Sequence, residues 1–462
     1  MTAIDRFFVN MRDSRVVFIG VGVSHNDVIR LFLDKGIAVT VCDRKSKEGL
    51  GAIYEEFSAR GVRFVLEENY LDALEDADVI FRSPGMYYNH PAIKAARDRG
   101  AAVTSEMEAF FELCPCKLYA VTGSDGKTTT TSVIAELLRV EGRRVHLGGN
   151  IGKALLPLVE TIRPEDAAVV ELSSFQLISM TRSPDVAVIT NISPNHLDVH
   201  GTMDEYIRAK CNILLHQSPF GRAVLNARDA ETDRLSAFVR GRLDLFSSSG
   251  APARGAYVNG EDVLCYHDNG VHVPLLRAED IRIPGRHNVE NYLAAITAVY
   301  GEVRSETIVK VAKEFAGVEH RIEFVREHEG IRWYNDSIAT SPTRVIAGLR
   351  AFSQKLIVIA GGYDKKIPFE PLAPALCEHA KALILTGVTA PKIEAAVRGC
   401  SAYHEEELPI LHAESLEDAV RIAKEIAQAG DIVTLSPACA SFDRYPNFEA
   451  RGMHFKRLVQ AL

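Results

Sequence analysis

A chain of 462 residues exceeds what one hydrophobic core usually serves, and its 47% hydrophobic and 25% charged residues exclude a disordered polymer. A formal net charge of -8 excludes the whole-chain basic footprint of a nucleic-acid binder, while leaving local anion sites open. Eight scattered cysteines exclude a zinc module or a disulfide scaffold, and no apolar run reaches the ~18 residues of a membrane span.

Short apolar runs alternate with helix-period segments from end to end, the pattern of βαβ units and parallel sheets. The N-terminus carries an acid and no apolar core of a signal peptide, so a cytoplasmic chain is expected. The first block runs to about Glu106. It holds a β-branched strand Val16–Gly20, the turn Gly20-Val21-Gly22-Val23-Ser24, a helical stretch Asp27–Lys35, and strands Val39–Val41 and Asp78–Phe81. These last two end at Asp43-Arg44 and Ser83-Pro84-Gly85. The turn suits a pyrophosphate, but His25 stands where a dinucleotide fingerprint wants its third glycine, which argues against NAD.

The second block, from about Met107, contains the close pair Cys114-Pro115-Cys116, read as reduced thiols. Strands follow at Leu118–Thr122, Ala167–Leu172 and Val186–Thr190, then hairpin signals at Asn259-Gly260 and Asn269-Gly270, and a helix from about His287. The third block begins near Glu319, with strands Ile331–Tyr334, Leu356–Ala360, Ala382–Thr386 and Ile432–Leu435.

Between a strand and a helix lies Thr122-Gly123-Ser124-Asp125-Gly126-Lys127-Thr128. Glycines let backbone N–H groups turn inward around phosphate oxygens; Lys127 adds a point charge, the helix N-terminus a dipole, and Thr128 a hydroxyl for Mg²⁺. Two residues separate the glycines where the general phosphate loop has four, which weakens a kinase or GTPase reading. Glu171 ends an apolar strand and His196 follows the next one, where ligands collect in α/β sheets. Each alone reads as a strand-end carboxylate or a loop histidine; together they suit a metal shell. Asn288 and Asn291 share a helix face, fit either for an adenine edge or, at Asn288, for a helix cap.

These segments, with Gly148–Gly152, Thr190–His200, Tyr206–Lys210, Pro284–Asn291 and His320-Arg321, resemble the Mur ligases, ATP-dependent amide-forming enzymes of peptidoglycan synthesis. Glu171–Leu177, Asn335–Ser341 and Leu435–Gly452 resemble the branch that adds D-glutamate, and the Asp-Asn-Pro-Arg motif of the diaminopimelate- and lysine-adding branch is missing. The resemblance implies an α/β chain of three domains. These are a Rossmann-like UDP-sugar domain at 1–106, a P-loop ATPase-like domain with a parallel sheet and small antiparallel hairpins at 107–317, and a Rossmann-like amino-acid domain at 318–462.

It further implies ATP with one or two Mg²⁺, and UDP-N-acetylmuramoyl-L-alanine and D-glutamate as partners. No nucleic acid, no membrane insertion and a monomer are expected. By resemblance, Gly123, Ser124, Asp125, Gly126, Lys127, Thr128, Thr129 and Asn150 hold phosphates, and Thr128, Glu171, His196 and Lys210 form the metal shell. Lys210, otherwise a plain solvated lysine, is there carbamylated by CO₂. Asn288 and Asn291 meet adenine, and Arg321 and Asp336 serve the nucleotide from the third domain. Lys127, His196, Lys210 and Arg321 stand near the reacting charge. Gly22, Val23, Ser24, Asp43, Arg44, Ser83, Pro84 and Gly85 form the uridine site, and Thr340, Lys365, Ser441 and the Phe448 backbone hold D-glutamate. The rivals are another Mur-type or a folylpolyglutamate-type ligase, a Rossmann oxidoreductase built on Gly20–Ser24, and a noncatalytic nucleotide-sugar binder.

Overall fold

The computed structural model describes residues 1–22, 24–364 and 367–462. Its contacts divide into two compact units: Met1–Asp280 with Glu290–Val311, and Ile281–Val289 with Ala312–Leu462.

The first unit opens with β1 (Val16–Ile19), β2 (Val39–Asp43), β3 (Arg63–Leu66), β4 (Val79–Arg82) and β5 (Ala102–Thr104), a parallel sheet in the order β3-β2-β1-β4-β5. β1 and β4 are buried along their length because both sheet faces are covered, and Phe18 stacks on Phe81 across the pair at 4.6 Å. The chain leaves β1 and β4 toward opposite sides of the sheet. A crevice therefore opens between their C-terminal ends, where Gly20 turns at φ 85° beside Ser83.

The same rule acts again in a second parallel sheet. It comprises β6 (Lys117–Thr122), β7 (Val145–Gly149), β8 (Ala167–Glu171), β9 (Val186–Ile189), β10 (Arg222–Asn226) and β11 (Arg242–Phe246), ordered β11-β10-β9-β6-β8-β7. Here the switch falls between β6 and β9, so the loops after Thr122 and Ile189 meet. β12 (Gly255–Val258), β13 (Val263–Asp268) and β14 (Val271–Arg277) make the antiparallel sheet expected from the two Asn-Gly signals. Asn269 and Gly270 take φ of 49° and 82°, as a two-residue hairpin turn demands.

The second unit holds β15 (Glu323–His328), β16 (Ile331–Asn335), β17 (Leu356–Ala360), β18 (Ala380–Leu385), β19 (Ile410–His412) and β20 (Ile432–Leu435), ordered β15-β16-β20-β17-β18-β19. Every pairing is parallel except the hairpin β15–β16. The α/β class, with parallel sheets in every block and a small antiparallel sheet, is as the sequence predicts. No helix among the described residues is long and apolar enough to cross a membrane.

Candidate functional site

The loop after β6 is closed by hydrogen bonds to the segment after β9. Ser124 N–H donates to the Asn191 carbonyl at 2.9 Å, Asp125 N–H to Asn191 Oδ1 at 2.9 Å, and Thr190 Oγ1 to the Asp125 carbonyl at 2.6 Å. The Ser124 hydroxyl lies between the Ser193 carbonyl, at 2.9 Å, and the Tyr206 hydroxyl, at 3.0 Å. Gly123 and Gly126 hold φ of 151° and 76°. A Cβ at Gly123 would overlap Thr190 Oγ1, and one at Gly126 would overlap Asn291 Oδ1. These two glycines are thus fixed by close approach as well as by backbone angle. The helix Lys127–Val140 starts within the loop and leaves its first N–H groups aimed there.

Two ammonium groups meet at one carbonyl. Lys127 Nζ folds back to the carbonyls of Gly123, at 3.0 Å, and Ser124, at 2.9 Å. Lys210 Nζ reaches the same Gly123 carbonyl at 2.7 Å and Thr122 Oγ1 at 3.2 Å, and sits 4.7 Å from the centre of the Tyr206 ring. Lys210 is 1% exposed. Burial, then the charge of Lys127, pulls its pKa well below the usual lysine range. An amine in that setting is a nucleophile, unlike a solvated lysine.

Glu171 ends β8 next to β6. Its Oε1 accepts from Asn150 Nδ2 at 2.8 Å, while its Oε2 is buried without a hydrogen-bond partner. Gly149 makes this possible, since a Cβ there would overlap the Glu171 carbonyl, and the Asn150 N–H then donates to that carbonyl at 2.8 Å. A buried carboxylate oxygen with no donor is a site that a cation would satisfy. Among the described residues no group of three His, Cys, Asp or Glu side chains stands ready to hold a metal. The lone Glu171 carboxylate oxygen suits Mg²⁺, which retains waters and substrate oxygens and takes one or two carboxylates from the protein.

Thr128 and Lys127 are half-buried and Thr129 is buried, while Asp125 and Asn150 are exposed. His196 is exposed, adopts φ 55°, and meets the Phe175 ring edge at 5.0 Å. Asn291 Oδ1 accepts from Thr130 Oγ1 at 3.3 Å, which sets it above the loop. Asn288 Nδ2 donates to the Pro284 carbonyl at 2.6 Å, a bond to the segment before the helix that caps none of its N–H groups. Residue types alone gave no role to Thr190, Asn191 and Ser193, because their work is to bond the loop's backbone. Nor did they single out Arg82, buried at the end of β4, which donates to the Phe175 carbonyl at 2.9 Å and Ser179 Oγ at 3.1 Å.

At the first crevice Asp43 accepts from the N–H groups of Val21 and Lys45, both at 2.9 Å, and Arg44 Nε donates to the Tyr70 hydroxyl at 3.0 Å. His25 Nδ1 meets the Gly20 carbonyl at 2.9 Å, and burial lowers its pKa to about 4, so the ring is neutral. Gly22 and Gly85 are exposed, Ser24, Ser83 and Pro84 half-buried. Val23 lies outside the described residues, as do Lys365 and Lys366.

In the second unit, Asp336 is buried at the end of β16. Its Oδ2 accepts from Ser436 Oγ at 2.8 Å and its Oδ1 from Ile322 N–H at 3.3 Å; burial raises its pKa to about 7. Arg321 is exposed and its charge opposes that shift. Thr340 is half-buried and Ser441 buried. Phe448 begins the helix Phe448–Gln460, capped by Asn447, and its carbonyl accepts from Ser337 Oγ at 2.8 Å. Buried Arg451 donates to the carbonyls of Ser337, Cys439 and Ala440 and to Ser337 Oγ, tying the last strand's loop to the segment after β16.

Comparison with known proteins adds independent findings. Residues 14–105 match the MurD-like N-terminal domain of Mur ligases, 121–299 the Mur ligase middle domain, and 320–439 the glutamate ligase domain of Mur ligases. The UDP-N-acetylmuramoylalanine–D-glutamate ligase of Acetivibrio thermocellus is 47% identical, covering 100% of this chain and 99% of its own. The same-named enzyme of Clostridium beijerinckii is 50% identical over 97% of each chain. Among solved structures, the UDP-N-acetylmuramate–alanine ligase of Thermotoga maritima shares the fold with a TM-score of 0.56 at 19% identity, covering 97% of this chain and 99% of that one.

Proposed function

The chain belongs to the Mur ligase family, and on that premise we propose that it uses ATP to join D-glutamate to UDP-N-acetylmuramoyl-L-alanine in peptidoglycan precursor synthesis. The observation that carries this is full-length identity of 45–50% to D-glutamate ligases together with an intact phosphate cradle.

A carboxylate is a poor electrophile because its leaving group would be oxide. Transfer of the γ-phosphoryl group of ATP to the alanyl carboxylate gives an acyl phosphate, whose phosphate leaves readily. The D-glutamate amine then attacks the acyl carbon, and the products are the amide, ADP and phosphate. N–H groups of the first helical turn, from Lys127 to Thr129, and the Lys127 ammonium stabilise charge on the moving phosphoryl group, so the chain contributes mainly position and electrostatics. Thr128 Oγ1, Glu171 and His196 would hold Mg²⁺, which neutralises phosphate charge when bound. Asn150 keeps Glu171 oriented, and Asn291 and Asn288 face the adenine.

Lys210 is carbamylated in this reading. Its neutral amine attacks CO₂, loses a proton, and becomes a carboxylate-like group, which sets an anion suited to the metal beside the Lys127 ammonium. If Lys210→Ala retained full activity without added short carboxylates, this part would fall.

Arg321 and Asp336 serve the nucleotide. Thr340, Lys365, Ser441 and the Phe448 N–H hold the two carboxylates of D-glutamate, a task that the capped helix N-terminus at Phe448 suits. Gly22, Val23, Ser24, Asp43, Arg44, Ser83, Pro84 and Gly85 hold the uridine diphosphate. The domain limits remain 1–106, 107–317 and 318–462, and the working form is a cytoplasmic monomer, which light scattering tests. Phosphate release with ATP, Mg²⁺ and UDP-N-acetylmuramoyl-L-alanine across a panel of amino acids tests the specificity. D-glutamate is the expected trigger; a response to L-lysine or diaminopimelate instead would overturn it.

A further inference from the structure

We propose that Cys114 and Cys116 form a redox-active dithiol that exchanges electrons with a small disulfide of the glutathione type. The two residues flank Pro115 in the turn from the helix Glu106–Leu113 into β6, and both are free thiols. Their sulfurs approach to 3.5 Å, which is van der Waals contact. Side-chain rotation can close that gap to the roughly 2.05 Å of a disulfide.

The pair differs in access. Cys116 is 5% exposed, whereas Cys114 is half-buried. Both line a cavity of about 640 Å³, as do Lys117, Arg182, Arg222 and Arg242, with Asp185 as the one acid on that wall. Lys117 is paired with Glu302, Arg182 with Glu112, and Arg222 and Arg242 with Asp244, so the wall is close to charge-balanced and access rather than net charge decides which disulfide enters. The contact with the Cys116 thiol holds the Cys114 pKa below the ordinary thiol range, against burial and the charges of Asp185 and Asp166. Cys116 is pushed the other way by the same contact and by burial. Cys114 is therefore the attacking sulfur and Cys116 the resolving one.

The exchange balances as follows. Cys114 thiolate attacks one sulfur of the disulfide, and one glutathione thiolate leaves. Cys116 gives up its proton, its sulfur attacks the Cys114 sulfur of the mixed disulfide, and the second glutathione thiolate leaves. The chain loses two electrons and two protons; the external disulfide gains them as two thiols.

The test equilibrates the full chain over a series of reduced-to-oxidised glutathione ratios, blocks free thiols with an alkylating reagent, and digests with trypsin. The fragment Gly100–Lys117 carries both cysteines. It is expected to become two hydrogen masses lighter than its reduced form and closed to the reagent. The closed fraction should follow a two-electron dependence on the ratio and reverse with reduced glutathione. Cys116→Ala should stop at a glutathione adduct on Cys114, and Cys114→Ala should leave Cys116 free of glutathione and open to the reagent. A fragment alkylated at both cysteines throughout the series, or a wild-type adduct that never resolves, would overturn the proposal without touching the ligase assignment.

Discussion

Gly126→Ala tests the phosphate loop most directly. The new methyl group must sit at φ 76°, which for an L-residue costs about 1–2 kcal/mol. It also overlaps Asn291 Oδ1, so the amide swings away and loses its bond from Thr130 Oγ1, about 1 kcal/mol. Reduced freedom of the unfolded chain offsets roughly 0.5–1 kcal/mol. The net loss is about 2 kcal/mol. Asn291→Ala loses the bond from Thr130 Oγ1, about 1 kcal/mol, and clears the space. The double variant should therefore lose about 2 kcal/mol rather than about 3, leaving a coupling of about 1 kcal/mol between the sites. Urea unfolding followed by circular dichroism measures this, and KM for ATP should rise about tenfold in Gly126→Ala, the equivalent of about 1.4 kcal/mol. Additive losses, or an unchanged KM in Gly126→Ala, would refute the packing argument.

Two further outcomes follow from buried charges. Glu106 accepts from the N–H groups of Leu155 and Leu156 at 2.7 and 2.8 Å, yet burial raises its pKa to about 7. The folded state then binds this proton more tightly than the unfolded chain. Its contribution to stability should fall by about 3 kcal/mol as pH rises from about 4.5 to about 7, a difference between the parent chain and Glu106→Gln that pH-dependent urea melts measure. Arg451→Leu removes a buried guanidinium and strands the Ser337, Cys439 and Ala440 carbonyls, so the second unit should lose about 3–5 kcal/mol. The fluorescence of Trp333, the one tryptophan, reports it from inside that unit.

The interior of the sheets was legible in sequence because strands covered on both faces read as unbroken apolar runs. β1, β6, β8, β9, β17 and β20 were all found within one or two residues. The edge strands β3, β5 and β19 were missed, being half-exposed, with Arg63-Phe64-Val65-Leu66 carrying no periodicity that separates it from a loop; interior β10 was missed as well, because only Ala223-Val224-Leu225 lies apolar between Arg222 and Asn226. The Gly-Ser-Asp-Gly-Lys-Thr loop was legible because its chemistry needs particular residue types. Its supports Thr190 and Asn191 were not, because they act through hydrogen bonds to the loop's backbone that become visible once strand order places their loops side by side. The opposed fates of Glu171's two oxygens, one bonded and one bare, belong to this class. A sequence can nominate the carboxylate but cannot count its donors.

Strand direction also separates the two chemistries proposed for this chain. All six strands of the second sheet are parallel, so their C-terminal ends share the phosphate loop's side while the N-terminal ends of β6, β9, β10 and β11 lie at the cysteine cavity. β6 joins the two, but its register is locked on one side by β8, from Lys117↔Ala167 to Val121↔Glu171, and on the other by β9, from Tyr119↔Val186 to Thr122↔Ile189. Closing the sulfurs by roughly 1.5 Å must therefore be absorbed in the turn at Cys114–Cys116, because sliding β6 would break both ladders at once. Oxidised and reduced chain should release phosphate from ATP at rates within about twofold of each other, since a misplacement of order 1 Å at the loop would cost far more than that. A tenfold difference between the two forms would mean that β6 moves as a rod, and the argument from register would be wrong.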